Sequence, residues 1–170
     1  VQLFFVLSGF LISRSLLKIQ NSKEYFKVFY GRRILRIFPL YYTTLVFFFF
    51  LLPFTGCSPQ AFIDDAPHQI WLWTFLSNWT EFQGMGGMSL SHYWSLAVEE
   101  QFYCIWPFIL HRRSAKQVLT ICLIVASVSL LFRCLMVIES VSPMTIYVSS
   151  LARMDALALG AAVAAWSQLP

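Results

Sequence analysis

Five long apolar segments, separated by polar loops, decide what this chain can fold into. An α-helix rises about 1.5 Å per residue, so each segment crosses all or most of a bilayer core roughly 30 Å thick. Of the 170 residues, 58% are hydrophobic and only 12% are charged, too few charges for a soluble domain to cover such apolar surface. The sequence therefore predicts an all-α, polytopic bundle of transmembrane helices. We expect about five spans, at Val1–Leu17, Ile37–Phe54, Tyr93–Leu110, Val118–Ile138 and Met154–Trp166.

The basic residues predict the orientation of the bundle. Six lie between the first two spans and three between the third and fourth, whereas Thr55–His92 and Glu139–Thr145 contain none. Because basic loops stay on the cytoplasmic side of a membrane, the two basic loops are expected inside and the other two outside. The nine residues are Lys18, Lys23, Lys27, Arg32, Arg33, Arg36, Arg112, Arg113 and Lys116.

Two shorter segments predict helices at the membrane surfaces. Gln69–Trp79 is apolar and rich in tryptophan but too short to span, which predicts an interfacial or re-entrant helix on the outer side. Before the second span, Arg32, Arg33 and Arg36 fall within a helical sector of about 100°, beside an apolar stripe. This pattern predicts an amphipathic cytoplasmic helix. Its arginines either anchor lipid headgroups or bind phosphate groups through forked hydrogen bonds, and spacing alone favours the first interpretation.

The third span carries polar residues that membranes do not readily accept. Glu99, Glu100 and Gln101 lie within an apolar run, and burying each ionisable group in lipid costs roughly 2.5 kcal/mol or more. Such residues indicate either a functional site or a hydrogen-bond network that orders the bundle. The network interpretation applies especially to Glu100 and Gln101. For Glu99 both interpretations stay open.

A helical wheel of this span places several polar groups on one face, near the outer half of the membrane. Glu100 lies nearly a right angle away from that face, and Gln101 points to the opposite side. An imidazole, a carboxylate and a phenol together suit proton transfer or the binding of sugar hydroxyls. The residues of this face are His92, Ser95, Glu99, Tyr103 and Trp106.

Weaker patterns elsewhere predict packing rather than chemistry. Arg153 and Asp155 do not share a helical face, so each is expected to pair with another helix. Small residues at four-residue spacing, such as Gly160 and its neighbours, predict close helix packing. Asn78-Trp79-Thr80 fits the glycosylation pattern on the predicted outer side. The four cysteines, Cys57 among them, lack the paired spacing of a disulfide framework or a metal site.

Four segments, in this order, resemble the signature motifs of the acyltransferase-3 family of integral membrane acyltransferases. Phe4–Ile12 resembles the signature of the family's second helix, and Arg32–Tyr41 resembles its arginine motif. His92–Tyr103 is similar to the signature after the long outer loop, and Arg153–Gly160 to a weaker fourth block. Together they extend over nearly the whole chain.

The resemblance implies a membrane-bound O-acyltransferase in a bacterial inner membrane. Such an enzyme moves an acetyl or other acyl group from cytoplasmic acyl-CoA to a hydroxyl of an extracytoplasmic glycan or other cell-envelope acceptor. Residues 1–170 would be a single partial domain, truncated at both ends and equivalent to the second through sixth helices. The family's presumed catalytic histidine would then lie upstream of Val1, and this segment alone would be inactive.

The resemblance also implies roles for individual residues. Arg33 and Arg36, supported by Arg32, would bind the phosphates of acyl-CoA. Glu99 and Glu100 would organise the acceptor side or tune the missing histidine. His92 is a supporting candidate only, since it does not match the catalytic position.

The expected partners are membrane lipids, the acyl-CoA donor and a hydroxyl acceptor. We expect no tightly bound cofactor, no metal and no nucleic acid. A transporter and a non-catalytic scaffold are the alternatives. A transporter should have spans broken by Gly or Pro at matching places in two halves, and no such pair occurs here. A scaffold would leave the arginine cluster unexplained.

The distribution of charge makes the orientation testable. Single cysteines placed in Thr55–His92 should react with a membrane-impermeant reagent added to intact cells, because this loop is expected outside. Cysteines placed in Ser22–Tyr30 should be protected until the membrane is opened. Outside labelling of Ser22–Tyr30 would contradict the predicted orientation.

Overall fold

The computed structural model describes residues 1–56, 59–85, 90 and 92–169, so Cys57 lies outside the described part. This part is helical and contains no strand, which confirms the all-α prediction. Five long helices and one short helix form the bundle in these residues. They are α1 Gln2–Ile19, α2 Tyr25–Val46, α3 Tyr93–Leu110, α4 Ala115–Ile138, the short α5 Pro143–Val148 and α6 Ser150–Trp166.

Helix α2 runs unbroken from the basic residues into the second span. It continues past Val46 through a π-helical turn, Phe47–Leu51, and a last α-helical turn, Leu52–Phe54. The amphipathic helix predicted before the second span is therefore the first part of α2, and it leads directly into that span, as expected. Nothing before Pro39 stops the helix, and a proline inside a spanning helix removes only one backbone donor.

Four stretches are long and apolar enough to cross a membrane: Gln2–Ile19, Tyr25–Phe54, Ala115–Ile138 and Pro143–Trp166. Helix α3, the predicted third span, is not among them because its polar residues lower its hydropathy. It is instead strongly enclosed by the bundle, with 10 of its 18 residues buried. The polar helix α3 thus lies in the interior together with Pro143–Trp166, which is 67% buried, whereas the other three apolar stretches are mostly unburied and can face lipid.

The outer segment between α2 and α3 folds as short turns and not as one interfacial helix. Within the predicted helix Gln69–Trp79, the structure has an α-helical turn, Ile70–Trp73, and a 3₁₀ turn, Ser77–Trp79. Phe75 between them has φ of 55°, a left-handed conformation that interrupts a helix. Leu72 and Phe75 pack with Tyr41 of α2, so the segment covers the outer ends of the helices. The remaining turns are Gln60–Asp65, Ala66–His68 and Glu81–Gln83.

Helix α6 packs against α1 with the two backbones in close contact at Gly9 and Gly160. A methyl group added at Gly160 would overlap the backbone carbonyl of Val6, and one added at Gly9 would overlap that of Leu157. Small residues permit this approach in membranes, where van der Waals packing drives helix association. The small-residue pattern is therefore confirmed as a packing surface.

The charged residues of α6 pair with neighbouring helices, as expected. Asp155 forms an ion pair with Arg133 of α4. The Arg153 Nε donates to the Tyr147 carbonyl of α5 over 2.7 Å, and its guanidinium lies 4.4 Å from the centre of the Tyr147 ring. These contacts tie α4, α5 and α6 into one layer.

The glycine crossing predicts a strong effect of a single methyl group. Gly160→Ala should lower the melting temperature in detergent, because overpacking typically costs about 1–3 kcal/mol. Gly31→Ala of α2 is the matched control, since no atom beyond the neighbouring residues and backbone of its own helix lies within 4 Å of the added methyl. The control should melt no lower than wild type, because alanine favours a helix over glycine. Equal melting temperatures for the two variants would contradict the close crossing.

Candidate functional site

A cavity of about 300 Å³ lies between α1, α2 and α3. We call it the central cavity. Tyr25 and Tyr30 of α2 reach across to α3, where their hydroxyls donate to the carbonyls of Pro107 over 3.1 Å and Cys104 over 2.8 Å. These hydrogen bonds hold α2 against α3 at the basic end of the bundle. The lining residues are Phe4, Leu7, Ser8, Leu11, Arg33, Arg36, Ile37, Leu96, Glu99 and Tyr103.

Helix α2 supplies the two cations of the central cavity. Arg33 and Arg36 are three residues apart and therefore lie on the same side of the helix. The Arg33 guanidinium carbon lies 4.8 Å from the centre of the Tyr103 ring, close enough for a cation–π contact. At 1.5 Å per residue, the two arginines lie about 12–17 Å along the helix from Tyr25. Arg33 is half-buried and reaches into the bundle, whereas Arg36 lines the central cavity from an exposed position.

Helices α1 and α3 supply the acidic and hydroxyl groups. The Glu99 carboxylate is 4% exposed, and its Oε1 has no hydrogen-bond partner among the described residues. Ser8 and Tyr103 are hydrogen-bonded to each other and lie beside that carboxylate. One turn further along α3, the Trp106 Nε1 donates to Ser13 over 2.7 Å. The predicted shared face of Glu99, Tyr103 and Trp106 is therefore confirmed, and it faces α1.

The charges of the central cavity do not neutralise one another directly. Within the described part of the chain, neither Arg33 nor Arg36 forms an ion pair with Glu99, whereas Arg133 and Asp155 do pair elsewhere in the bundle. The lining therefore carries two cations and one anion around an open space. Such an arrangement leaves the guanidinium groups free to bind an anionic ligand.

Glu100 has a different environment from Glu99. It is 9% exposed, also has an unpartnered Oε1 among the described residues, and does not line the central cavity. Its carboxylate is attracted by Arg33 and repelled by Glu99. Glu100 thus adds negative charge near Arg33 without forming an ion pair with it in the described part of the chain.

His92 and Ser95 are not brought into the central cavity. Helix α3 begins at Tyr93, so His92 precedes it and is exposed, with its ring against that of Tyr93 at 4.9 Å. The Ser95 hydroxyl donates to the His92 carbonyl over 3.1 Å. Of the predicted polar face, only Glu99 and Tyr103 line the central cavity. The supporting role of His92 stays a prediction.

Comparison with known proteins identifies the family to which this chain belongs. The family model of acyltransferase-3, described as an acyltransferase domain, matches residues 1–167. The chain belongs to the acyltransferase-3 family.

Curated relatives of this acyltransferase-3 chain occur in several bacteria. The peptidoglycan O-acetyltransferase OatA of Listeria monocytogenes is 30% identical, over 96% of this chain and 28% of the relative. The O-acetyltransferase OatA of Staphylococcus aureus is 32% identical, over 76% of this chain and 23% of the relative. An uncharacterized protein of Haemophilus influenzae is 35% identical, over 65% of this chain and 48% of the relative. The chain spans about a quarter of the length of the two named enzymes. No solved structure matches it.

A smaller cavity of about 170 Å³ lies closer to the basic end of the acyltransferase-3 bundle, where α1 ends and α2 begins. We call it the inner cavity. Arg33 and Arg36 line both cavities, and Arg32 joins them only here. The inner cavity carries three guanidinium groups and no carboxylate, so its charge is more positive than that of the central cavity. Its other lining residues are Ser15, Ile19, Val28 and Phe29.

Gln101 belongs to a structural network and not to the cavities. Its side-chain nitrogen donates to the Phe75 carbonyl and to Asn78 Oδ1, each over 2.9 Å, and its oxygen accepts from Ser150. Asn78 is 1% exposed and donates to Ser150 and to the Val148 carbonyl. The network prediction is confirmed for Gln101. The glycosylation pattern was misleading, because the structure buries its asparagine.

Ser8 is the site residue that the sequence analysis did not single out. It lies within the motif Phe4–Ile12, one residue before Gly9, and a small polar residue in an apolar helix is normally interpreted as packing. Its signal is the spacing from Phe4 and Leu11, which places all three on one helical face. Among the described residues, no group of His, Cys, Asp and Glu is arranged to hold a metal ion.

Proposed function

We propose that this chain forms the donor-binding part of a membrane-bound O-acyltransferase. The enzyme moves an acetyl or other acyl group from cytoplasmic acyl-CoA to a hydroxyl of a glycan outside the membrane. The observation that carries this proposal is the central cavity, which places the unpaired Arg33 and Arg36 opposite the buried Glu99 and Tyr103. Family membership supports the reaction class.

The two cavities favour one orientation of the donor. The phosphates of acyl-CoA would occupy the inner cavity, where Arg32, Arg33 and Arg36 meet no carboxylate. The acyl end would extend into the central cavity, whose apolar wall of Phe4, Leu7 and Leu11 suits a short acyl chain. Because Arg33 and Arg36 line both cavities, they would bind the donor at the junction between its phosphates and its thiol-bearing arm.

Acyl transfer requires a hydroxyl to attack the thioester. The acceptor oxygen forms a bond to the carbonyl carbon, the carbon–sulfur bond breaks, and the acceptor proton passes through a base to the departing thiolate. The family resemblance assigns the base to a histidine that is not among these residues. Glu99 would then orient that imidazole and stabilise its protonated form. The Tyr103 hydroxyl, hydrogen-bonded to Ser8, would position the carboxylate.

The acceptor is proposed to be a glycan of the bacterial cell envelope. The printed names of the relatives describe O-acetylation, in one case of peptidoglycan. The predicted outward orientation of Thr55–His92 would bring the acceptor to the end of the bundle opposite the basic loops. The protein is an integral membrane protein by its apolar helices and its family, and we place it in the inner membrane.

The arginine hypothesis predicts sensitivity to a change that keeps the charge. In the full-length enzyme, Arg33→Lys and Arg36→Lys should each lower acetyl-CoA turnover at least about tenfold, since lysine cannot form the forked hydrogen bonds. Arg113→Lys is the matched control, because this exposed residue lines neither cavity. Full turnover in both cavity variants, at equal expression, would show that the arginine cluster only anchors the helix to lipid headgroups.

The two glutamates predict a separation of turnover from stability. Glu99→Gln keeps the size of the side chain and its hydrogen bonding but not its charge. It should lower turnover about 100-fold or more, because a general acid–base step contributes at least that much. Glu100→Gln should retain turnover per folded molecule and melt at a lower temperature, since Arg33 loses part of its compensating charge. Wild-type turnover in Glu99→Gln would show that its role is structural.

A further inference from the structure

A third cavity lies at the basic end, between the α1–α2 turn and the α3–α4 turn. We call it the terminal pocket. Its volume is about 390 Å³, within the range of roughly 300–1,000 Å³ found for small-molecule sites. The lining is polar: Gln20, Asn21, Ser22, Lys23, His111 and Arg112.

The terminal pocket has positive charge without a compensating carboxylate. Lys23 and Arg112 line it, and neither forms an ion pair within the described part of the chain. The neighbouring Glu24 forms an ion pair with Lys27 over 3.2 Å and does not line the pocket. Two cations, two amide side chains and a hydroxyl are the groups that bind phosphate and the polar edge of a base.

The walls of the terminal pocket also hold unusual groups. Arg112 has φ of 59°, a left-handed conformation that arginine rarely adopts. Gln20 Oε1 and His111 Nδ1 are buried and have no hydrogen-bond partner among the described residues. The His111 ring packs against Tyr25 at 4.9 Å and Phe26 at 5.2 Å between ring centres. His111 is therefore half-buried and held against aromatic rings at the pocket wall.

We propose that the terminal pocket binds the phosphate-bearing nucleotide end of the acyl-CoA donor, an inference that rests on the proposed function. The inner cavity, at about 170 Å³, is large enough for a diphosphate but below the usual size for a whole nucleotide. Ile19 lines the inner cavity and the next residue, Gln20, lines the terminal pocket, so the two spaces flank one short turn. The 3′-phosphate of the donor ribose meets Lys23 and Arg112.

The same phosphate chemistry could come from an anionic lipid headgroup, and the experiment distinguishes the two sources. Full-length protein is placed in nanodiscs of phosphatidylcholine, and its affinity is measured for CoA and for dephospho-CoA, which lacks the 3′-phosphate. Wild type should bind CoA about tenfold more tightly, because a hydrogen bond to a charged group contributes that order of affinity. The preference should persist in nanodiscs that contain phosphatidylglycerol.

Charge-neutral variants test whether the terminal pocket is responsible. Lys23→Gln and Arg112→Gln should each reduce the preference for CoA over dephospho-CoA severalfold while leaving dephospho-CoA affinity unchanged. Both positions are exposed, and glutamine at 112 tolerates the left-handed backbone no worse than arginine does, so both variants should fold. Lys18→Gln and Arg113→Gln remove the same charge from exposed neighbours outside the pocket and should retain the preference.

The failure of this inference differs from the failure of the proposed function. The terminal pocket would be excluded as a donor site if wild type bound CoA and dephospho-CoA equally, or if the preference for CoA survived in both pocket variants. Either result would leave acyl-CoA as the proposed donor. A preference that disappears in phosphatidylglycerol would assign the pocket to lipid headgroups. A wild-type protein with neither CoA affinity nor acetyl-CoA turnover would overturn the proposed donor itself, and the pocket assignment with it.

Discussion

The cost of holding charge away from water governs the architecture of this bundle. Glu99 and Glu100 each cost several kilocalories per mole in hydrocarbon unless opposite charge or water reaches them. The structure meets this cost by enclosing α3 among more apolar helices and by bringing Arg33 from α2 to the same depth. Because Arg33, Arg36 and Glu99 line a cavity and, within the described residues, form no direct ion pair with one another, the compensation of their charges depends on what fills that cavity.

Helix α1 links the rigid part of the bundle to this cavity. Its buried face contacts the backbone of α6 at Gly9, and Ser13 accepts from Trp106 of α3. The residue before Gly9 is Ser8, which lines the central cavity. A side chain attached to a helix that cannot shift without a backbone clash has a fixed position, which is the condition for precise hydrogen bonding to Tyr103.

The regular helices could be predicted from the sequence because burial in lipid imposes length and hydropathy on them. The bounds of α3 were predicted as observed, and its wheel correctly placed Glu99 and Tyr103 on one face. The failures lie where the chain departs from regular geometry or where tertiary contacts decide. The left-handed Phe75, which breaks the outer segment, has no sequence signal. The wheel could not show that His92 and Ser95 lie outside the cavity, because that depends on contacts with α1 and α2.

The sequence could not predict that Arg33 and Arg36 line the same cavity as Glu99. Charge rules assign a basic cluster to the cytoplasmic surface, and the wheel placed the acidic face toward the outer half of the membrane. Both predictions assign a depth in the membrane to each segment separately and ignore its contacts with other helices. In the structure, α2 runs straight through the cluster, so about two turns separate its first residue from Arg33. A continuous helix therefore connects the basic end to the bundle interior. Through this helix, Arg33 and Arg36 line both the cation-rich inner cavity and the central cavity that contains Glu99. The proposed donor requires two such environments, because it has phosphates at one end and a reactive thioester at the other.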